Sequence, residues 1–405
     1  MSSWRSAFGS EDAGIIDSFE VCELLATLAD KSLVVPDQST GRYRLIETVR
    51  QYAGHQLADR EEREMWSGRH LAYFQMLAVE AKPHLAGAEQ QVWLDRLESE
   101  HENLRAALMR GRDDERWDPQ FFELANALTW FWYLRGHWSE GRDWLDLAET
   151  RSRGMAENIR LRTAYSAAVL AHAQTDYDAA IRHYNTSLQI ARELGDDSTV
   201  AWCLGNLAII SLEMNDRTLC EDRAEESIAL FRRIGDGTGI AAVSTVLGEI
   251  AYAREDYLSA HAHFTEGLKL SRGLQDRAGA TRMLSALGTL ALKQDDAALA
   301  GLYLREAIIT ARDLHLRSRL PDILDSCAHL SLIRSRPEQS ARLLAAAQSI
   351  RHGLGASVLP YNRPDHDRIL RETEAALADG DFPQAWQTGL AMTMEQAIEL
   401  ALDVG

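Results

Sequence analysis

His261 and His263 are the closest pair among thirteen histidines, and an H-x-H pair holds a metal only where both rings can face one ion. Helical ligand pairs need i, i+4 spacing, and residues two apart point to different faces. The surrounding segment reads as helix, so no metal is expected there. Carboxylate pairs, the raw material of general acid–base chemistry, occur at Asp196-Asp197 and Asp295-Asp296. Both fall in predicted loops and read as solvated helix caps. Neither G-x-S-x-G nor H-E-x-x-H is present. Cys22, Cys203, Cys220 and Cys327 lack C-x-x-C spacing and lie in apolar stretches, which predicts buried free thiols in a reducing compartment. The expectation is no enzyme: no catalytic residue, no metal, no cofactor.

The elements that carry these residues repeat. Asp176, Asp216, Asp256 and Asp296 recur every 40 residues, and each is followed four residues later by a small side chain, Ala180, Cys220, Ala260 or Ala300. The register extends to Gly141, Ala341 and Ala385. A strict period in an Ala/Leu/Arg-rich chain means one helical unit copied and stacked. In the clearest copy, Leu247-Gly248-Glu249 lies on a first helix, Asp256 starts a second helix, and Ala260 and Phe264 follow on it. Gly248 lets the paired helices approach, Asp256 caps orphan N–H groups, and Phe264 is a knob into the core. The third copy has eleven residues from Gly205 to Asp216 instead of eight, and the sixth has Pro337 in place of the aspartate.

Before the repeats the chain changes character. Glu20–Ala29 reads as a short amphipathic helix, 32–35 and 43–46 as a β-hairpin, and about 46–58 as a second helix. Helix, hairpin, helix is the end of a winged-helix unit. Such a unit often reads DNA, yet Lys31, Arg42, Arg44, Arg50 and Arg60 are balanced by Glu20, Glu23, Asp30, Asp37, Glu47 and Asp59. With a net charge of −18 over the chain, this balance argues for a packing module and against direct nucleic-acid binding. Two long helices should follow from 61 to 112, the second running from Val92 to Arg110. Trp117, Phe121, Phe122, Trp130, Phe131, Trp132, Tyr133, Trp138 and Trp144 then form a dense cluster. It reads as a core, with an aromatic ligand pocket as the alternative.

No basic-then-apolar leader and no apolar run of about 18 residues is present, so a cytoplasmic chain without a membrane span is expected. The expected layout is a partial winged-helix-like segment over 1–60, linker helices over 61–116, repeats over 117–355 and capping helices over 356–405. The fold class is all-α: a helical solenoid, a right-handed superhelix of helix pairs.

The motifs Leu204-Gly205-Asn206, Leu247-Gly248-Glu249 and Leu287-Gly288-Thr289 resemble tetratricopeptide repeats, although the usual repeat is about 34 residues. That resemblance implies longer helices or larger loops here, and a concave face lined by the first helix of each pair. Counting from the glycines, the residues on that face are Tyr165, His172, Trp202, Asn206, Glu249, Tyr252, Arg282, Thr289 and Lys293. Polar and aromatic groups on Ala/Leu-rich helices suit a protein or peptide ligand.

Three stretches taken together are similar to the C-terminal arm of bacterial signal-transduction ATPases of the AfsR and LuxR types. They are Leu24–Val34 with Tyr43–Ala53, Trp93–Ala107 and Ala341–Gly355. The resemblance implies a sensor or scaffold arm of a regulator, with an ATPase acting in trans as a second candidate partner. G-x-x-x-x-G-K-[ST] is absent and nothing resembling a helix-turn-helix follows residue 402, so ATP binding and direct transcriptional control are not carried over. A natural fragment and a truncated regulator both fit, and self-association stays open. A small-molecule effector in the aromatic cluster and DNA at the winged segment are the alternative functions.

Overall fold

A computed structural model describes residues 18–37, 41–59, 63–214, 216–358, 362–378 and 380–404. The chain divides into two compact units, Met1–Leu77 with Asn103–Gln120, and Ala78–Glu102 with Phe121–Gly405.

The first unit opens with α1 (Ser18–Asp30), strands β1 (Val34–Asp37) and β2 (Arg42–Leu45), and α2 (Glu47–Asp59). The strands pair antiparallel with Val34 opposite Leu45 and Pro36 opposite Tyr43, which places the expected hairpin within two residues of its predicted ends. A proline is tolerated because the sheet has two strands and both are edges. Leu24, Tyr43 and Tyr52 are about half exposed or more. Cys22 is also exposed, contrary to the expected burial: the α1 face that carries it with Leu25 and Ala29 is only partly covered by the described residues. The unit's core comes from α3 (Arg63–Ala81) and α5 (His101–Asp113), through Leu71, Phe74, Leu77, Leu104, Ala107 and Leu108.

The long helix expected from Val92 to Arg110 is two helices, α4 (Gln90–Ser99) and α5. Glu100 separates them at φ −99°, ψ 5°, a bridge-region conformation that interrupts the helical ladder.

In the second unit the helices run α6 (Asp118–Arg135), α7 (Trp138–Ser152), α8 (Glu157–Ala173), α9 (Tyr177–Leu194), α10 (Asp197–Glu213), α11 (Arg217–Ile234), α12 (Gly237–Ala253) and α13 (Tyr257–Gly273). They continue as α14 (Arg277–Lys293), α15 (Ala297–Asp313), α16 (Leu320–Ile333), α17 (Pro337–Leu354), α18 (Arg363–Ala375), α19 (Asp381–Leu390) and α20 (Met394–Leu402). From α7 to α18 each helix packs on its neighbours in sequence, so the solenoid expected from the period is present, while α19 folds back onto α17. Its repeat is long because the helices run to 17 or 18 residues while the turns stay minimal.

Those turns reveal a finer period. Asp176, Asp196, Asp216, Asp236, Asp256, Asp276 and Asp296 stand 20 apart, and each carboxylate accepts from the N–H three residues on. Each of these aspartates also donates its own N–H to a carbonyl five residues back, such as Ala251 for Asp256. One residue thus closes the preceding helix and caps the next. The residue before each described turn is left-handed: Thr175, Gly195, Gly235, Glu255, Gln275 and Asp295, continued by His315, Ser335 and Gly355. A non-glycine side chain there costs about 1–2 kcal/mol, offset in part by the greater chain entropy glycine loses on folding. Glu255→Gly and Gln275→Gly should each stabilise by about 0.5 kcal/mol, read as a thermal midpoint about one to two degrees higher.

The eleven-residue spacing in the third repeat is not a longer loop, since α10 and α12 both have 17 residues. Gly205 lies one turn early, and the fully buried Ala208 stands 40 residues before Gly248. In the sixth repeat Arg336 takes the cap position without a side-chain bond, and Pro337 opens α17, where a missing N–H costs nothing. Among the described residues no helix is long and apolar enough to cross a membrane.

Candidate functional site

The second unit closes its helix array on itself. Gln90 Oε1 accepts from the Ala278 N–H at 3.1 Å, and Gln91 Nε2 donates to the Asp313 carbonyl at 2.7 Å. Arg319 donates to the Tyr133 hydroxyl at 2.6 Å, and Thr175 Oγ1 meets Ser357 Oγ at 3.2 Å. Helices from the two ends of the array therefore face each other across a cavity of about 980 Å³. That volume is at the upper end of the roughly 300–1,000 Å³ typical of small-ligand pockets.

All nine residues expected on the concave face line this cavity. They stand on the first helices of successive pairs: Tyr165 and His172 on α8, Trp202 and Asn206 on α10, Glu249 and Tyr252 on α12, and Arg282, Thr289 and Lys293 on α14. The forty-residue period brings them together, because each first helix turns the same face inward. Their local roles differ. Trp202 packs edge-on against Phe231 with centroids 5.0 Å apart, and Asn206 donates to the Trp202 carbonyl at 2.8 Å. His172 Nε2 lies 3.3 Å from Glu213 Oε2. Glu249 and Arg282 pair at 3.6 Å. Thr289 Oγ1 meets Ser326 Oγ at 2.9 Å. Lys293 and Tyr252 both reach Asp365, which α18 brings to the wall.

Several lining residues were not anticipated. Asp322, Asp325 and His329 on α16 lie 40 residues after Arg282, Ser285 and Thr289, so extending the same register past the proline-started repeat would have found them. Asp365 and His366 come from α18, outside the period, and no sequence pattern points to them. The aromatic cluster occupies two settings. Phe121, Phe122, Phe131 and Trp132 are fully buried core, while Trp130, Tyr133 and Trp138 line the cavity.

The electrostatics are those of a largely buried, charge-paired wall. Burial pushes the Tyr165 and Tyr252 hydroxyls well above their ordinary value. It also pushes the thiols of Cys203, Cys220 and Cys327 up to about 12, so they are unreactive as nucleophiles. Burial raises the Glu249 carboxyl, with Arg282 pulling the other way. For a carboxyl raised in the folded state, the stabilising contribution is complete below the unfolded value of 4.5 and is lost as pH rises through the folded one. Glu249→Gln should therefore gain thermal midpoint relative to wild type as pH is raised from 4.5 towards neutrality. A pH-independent difference would contradict this.

A family model for the tetratricopeptide repeat matches residues 160–233, covering α8 to α11. Proteins of Mycobacterium tuberculosis and Mycobacterium bovis, assigned by inference as HTH-type transcriptional regulators, are 33% identical over 199 residues. The match takes in 47% of this chain and 22% of each relative, so the chain spans about a fifth of the length of these curated relatives. Among solved structures, a Rap protein complexed with competence and sporulation factor superposes with TM-score 0.50 at 12% identity, covering 84% of this chain and 98% of that one. A signal-transduction ATPase with a tetratricopeptide repeat sensor from Pyrococcus horikoshii gives TM-score 0.45 at 13% identity over 93% of this chain and 60% of that one. The chain is similar to regulators in sequence, and in fold it is a tetratricopeptide-like helical solenoid.

Proposed function

We propose that this chain is a non-catalytic sensor arm of a bacterial regulator, and that it binds a peptide segment inside the cavity of its helical array. The observation that carries this reading is the cavity wall itself. Asn126, Asn206, Glu249, Arg282, Asp325 and Arg351 line it, so donors, acceptors and charges of both signs are spread over several helices. A peptide offers amide donors and acceptors at regular intervals to match such a wall. Trp130, Tyr133 and Trp202 supply apolar anchors, while the Glu249–Arg282 and Lys293–Asp365 pairs offer charges of both signs. The similarity to mycobacterial regulators and to a Rap protein solved with a bound factor supports the regulatory setting.

The test is a displayed random-peptide library selected on the full chain, with binders re-measured on Arg282→Glu and Trp202→Ala. Affinity should fall by at least about tenfold in both variants, or about 1.4 kcal/mol, while Arg42→Glu leaves it unchanged. Binders that ignore both cavity variants would overturn the assignment. A small-molecule effector is the second reading, favoured by the corner where the Arg319 guanidinium lies 5.5 Å over the Tyr133 ring beside Trp130. Tryptophan fluorescence that responds to a metabolite panel but to no peptide would select it.

A further inference from the structure

We propose that Glu98, His101 and His137, with Glu140 beside His101, form a binding site for a divalent cation of the zinc class, apart from the cavity residues named above. In sequence these are two i, i+3 pairs of mirrored order, Glu98-x-x-His101 and His137-x-x-Glu140. Residues three apart on a helical turn share a face. The break at Glu100 sets the first pair across the junction of α4 and α5, and the second pair opens α7, with His137 in its cap position. His137 makes no side-chain capping bond, so its ring is turned away from the helix end.

Three of the side chains converge, and Glu140 lies against one of them, His101. His137 Nε2 lies 3.2 Å from both Glu98 carboxylate oxygens, and His101 Nε2 lies 3.1 Å from Glu140 Oε2. The two imidazole centroids are 4.3 Å apart, and the ligand atoms of Glu98, His101 and His137 all fall within 4.8 Å of one another. Tetrahedral zinc with bonds of about 2.0–2.2 Å needs ligand atoms roughly 3.4 Å apart, so small side-chain rotations bring these three to one ion and leave a fourth position open. His101 is 9% exposed, and its Nε2 is buried without a hydrogen bond of acceptable geometry. Phe131 packs edge-on against its ring at 5.3 Å and holds it in place.

As the cluster stands, each ring lies against one carboxylate, His137 against Glu98 and His101 against Glu140. A neutral imidazole keeps a lone pair on one ring nitrogen, the form in which histidine binds a metal ion. A divalent cation held by the two rings and the Glu98 carboxylate gains two nitrogen ligands and one anionic ligand, with the Glu140 carboxylate adding negative charge beside His101. Nitrogen and oxygen donors with two histidines favour zinc over magnesium or calcium. Arg135 Nε is 3.9 Å from Glu98, and its guanidinium hydrogen-bonds Asp95.

The experiment uses tag-free full chain stripped with a chelator and titrated calorimetrically with zinc chloride alone. One equivalent should bind and raise the thermal midpoint. His137→Ala with Glu98→Gln, both at partly exposed positions, should weaken binding at least tenfold while the circular dichroism stays native, and His261→Ala with His263→Ala should bind as wild type. Cobalt substitution gives an independent readout, with visible bands of tetrahedral intensity in the wild type that vanish in His101→Ala. Absence of saturable binding by the wild type, or equal binding by wild type and the Glu98/His137 variant, would overturn the site.

Discussion

Phe264→Ala should destabilise the second unit by about 3–5 kcal/mol, seen as a large drop in the urea midpoint of the full chain. Phe264 is 2% exposed and sits on α13 against Gly248 of α12. A Cβ at Gly248 would stand 2.4 Å from Phe264 Cε1 and 2.5 Å from Cδ1, so the ring fills the notch that glycine leaves. Gly248→Ala alone should therefore cost about 1–3 kcal/mol through overpacking. Combined with Phe264→Leu, the loss should be smaller than the sum by more than about 0.5 kcal/mol, because the smaller side chain makes room for the methyl. Gly205→Ala should be milder, since its nearest atom, Ser227 Oγ, is 3.1 Å away and belongs to a small side chain. Additive losses at Gly248 and Phe264 would show that the two residues do not share one packing site.

The helix pairing was legible because its markers are chemical. An aspartate that caps a helix cannot be exchanged freely, and a small residue at a close approach cannot grow, so Asp256 with Ala260 survives as a pattern. The half-period at Asp196, Asp236 and Asp276 rests on the same chemistry and is visible in the sequence once spacings of 20 are tried. The left-handed positions are harder to read. Thr175, Glu255, Gln275, Asp295, His315 and Ser335 share a backbone conformation and no side-chain type, so only the structure reveals them as one class. The cavity residues on α8 to α14 followed from the repeat, whereas Asp365 reaches Lys293 through a fold-back of the chain that periodicity does not encode. The Glu98, His101, His137 and Glu140 cluster escaped for the opposite reason. Each half looks like ordinary helix-surface polarity, and only the packing of α4, α5 and α7 brings the halves together.

Asp325→Ala should cost about 3–5 kcal/mol, because it strands a buried guanidinium. The Arg351 side chain on α17 is 7% exposed and lies 2.5 Å from Asp325 and 3.0 Å from Asp322, both on α16. Asp322 is 42% exposed, so the partner that remains is largely solvated and cannot neutralise the buried charge alone. His366 of α18 also bonds Asp325, at 3.2 Å, so losing this carboxylate releases a contact of the C-terminal helix as well. Asp322→Ala should cost only about 0–1 kcal/mol, as expected for an exposed partner. Acid unfolding separates this network from ordinary packing. Burial works against the charge on Asp325, but Arg351 and His366 outweigh it and hold the carboxyl below its ordinary value. A carboxyl depressed in the folded state contributes stability that is complete above the unfolded value of about 3.9 and is lost as pH falls through the lower folded value. Wild type should therefore lose stability more steeply than Asp325→Ala below about pH 4, so that their unfolding curves converge in acid. A gap between the two that stays constant through that range would mean the substitution acts through packing and not through the Arg351 charge.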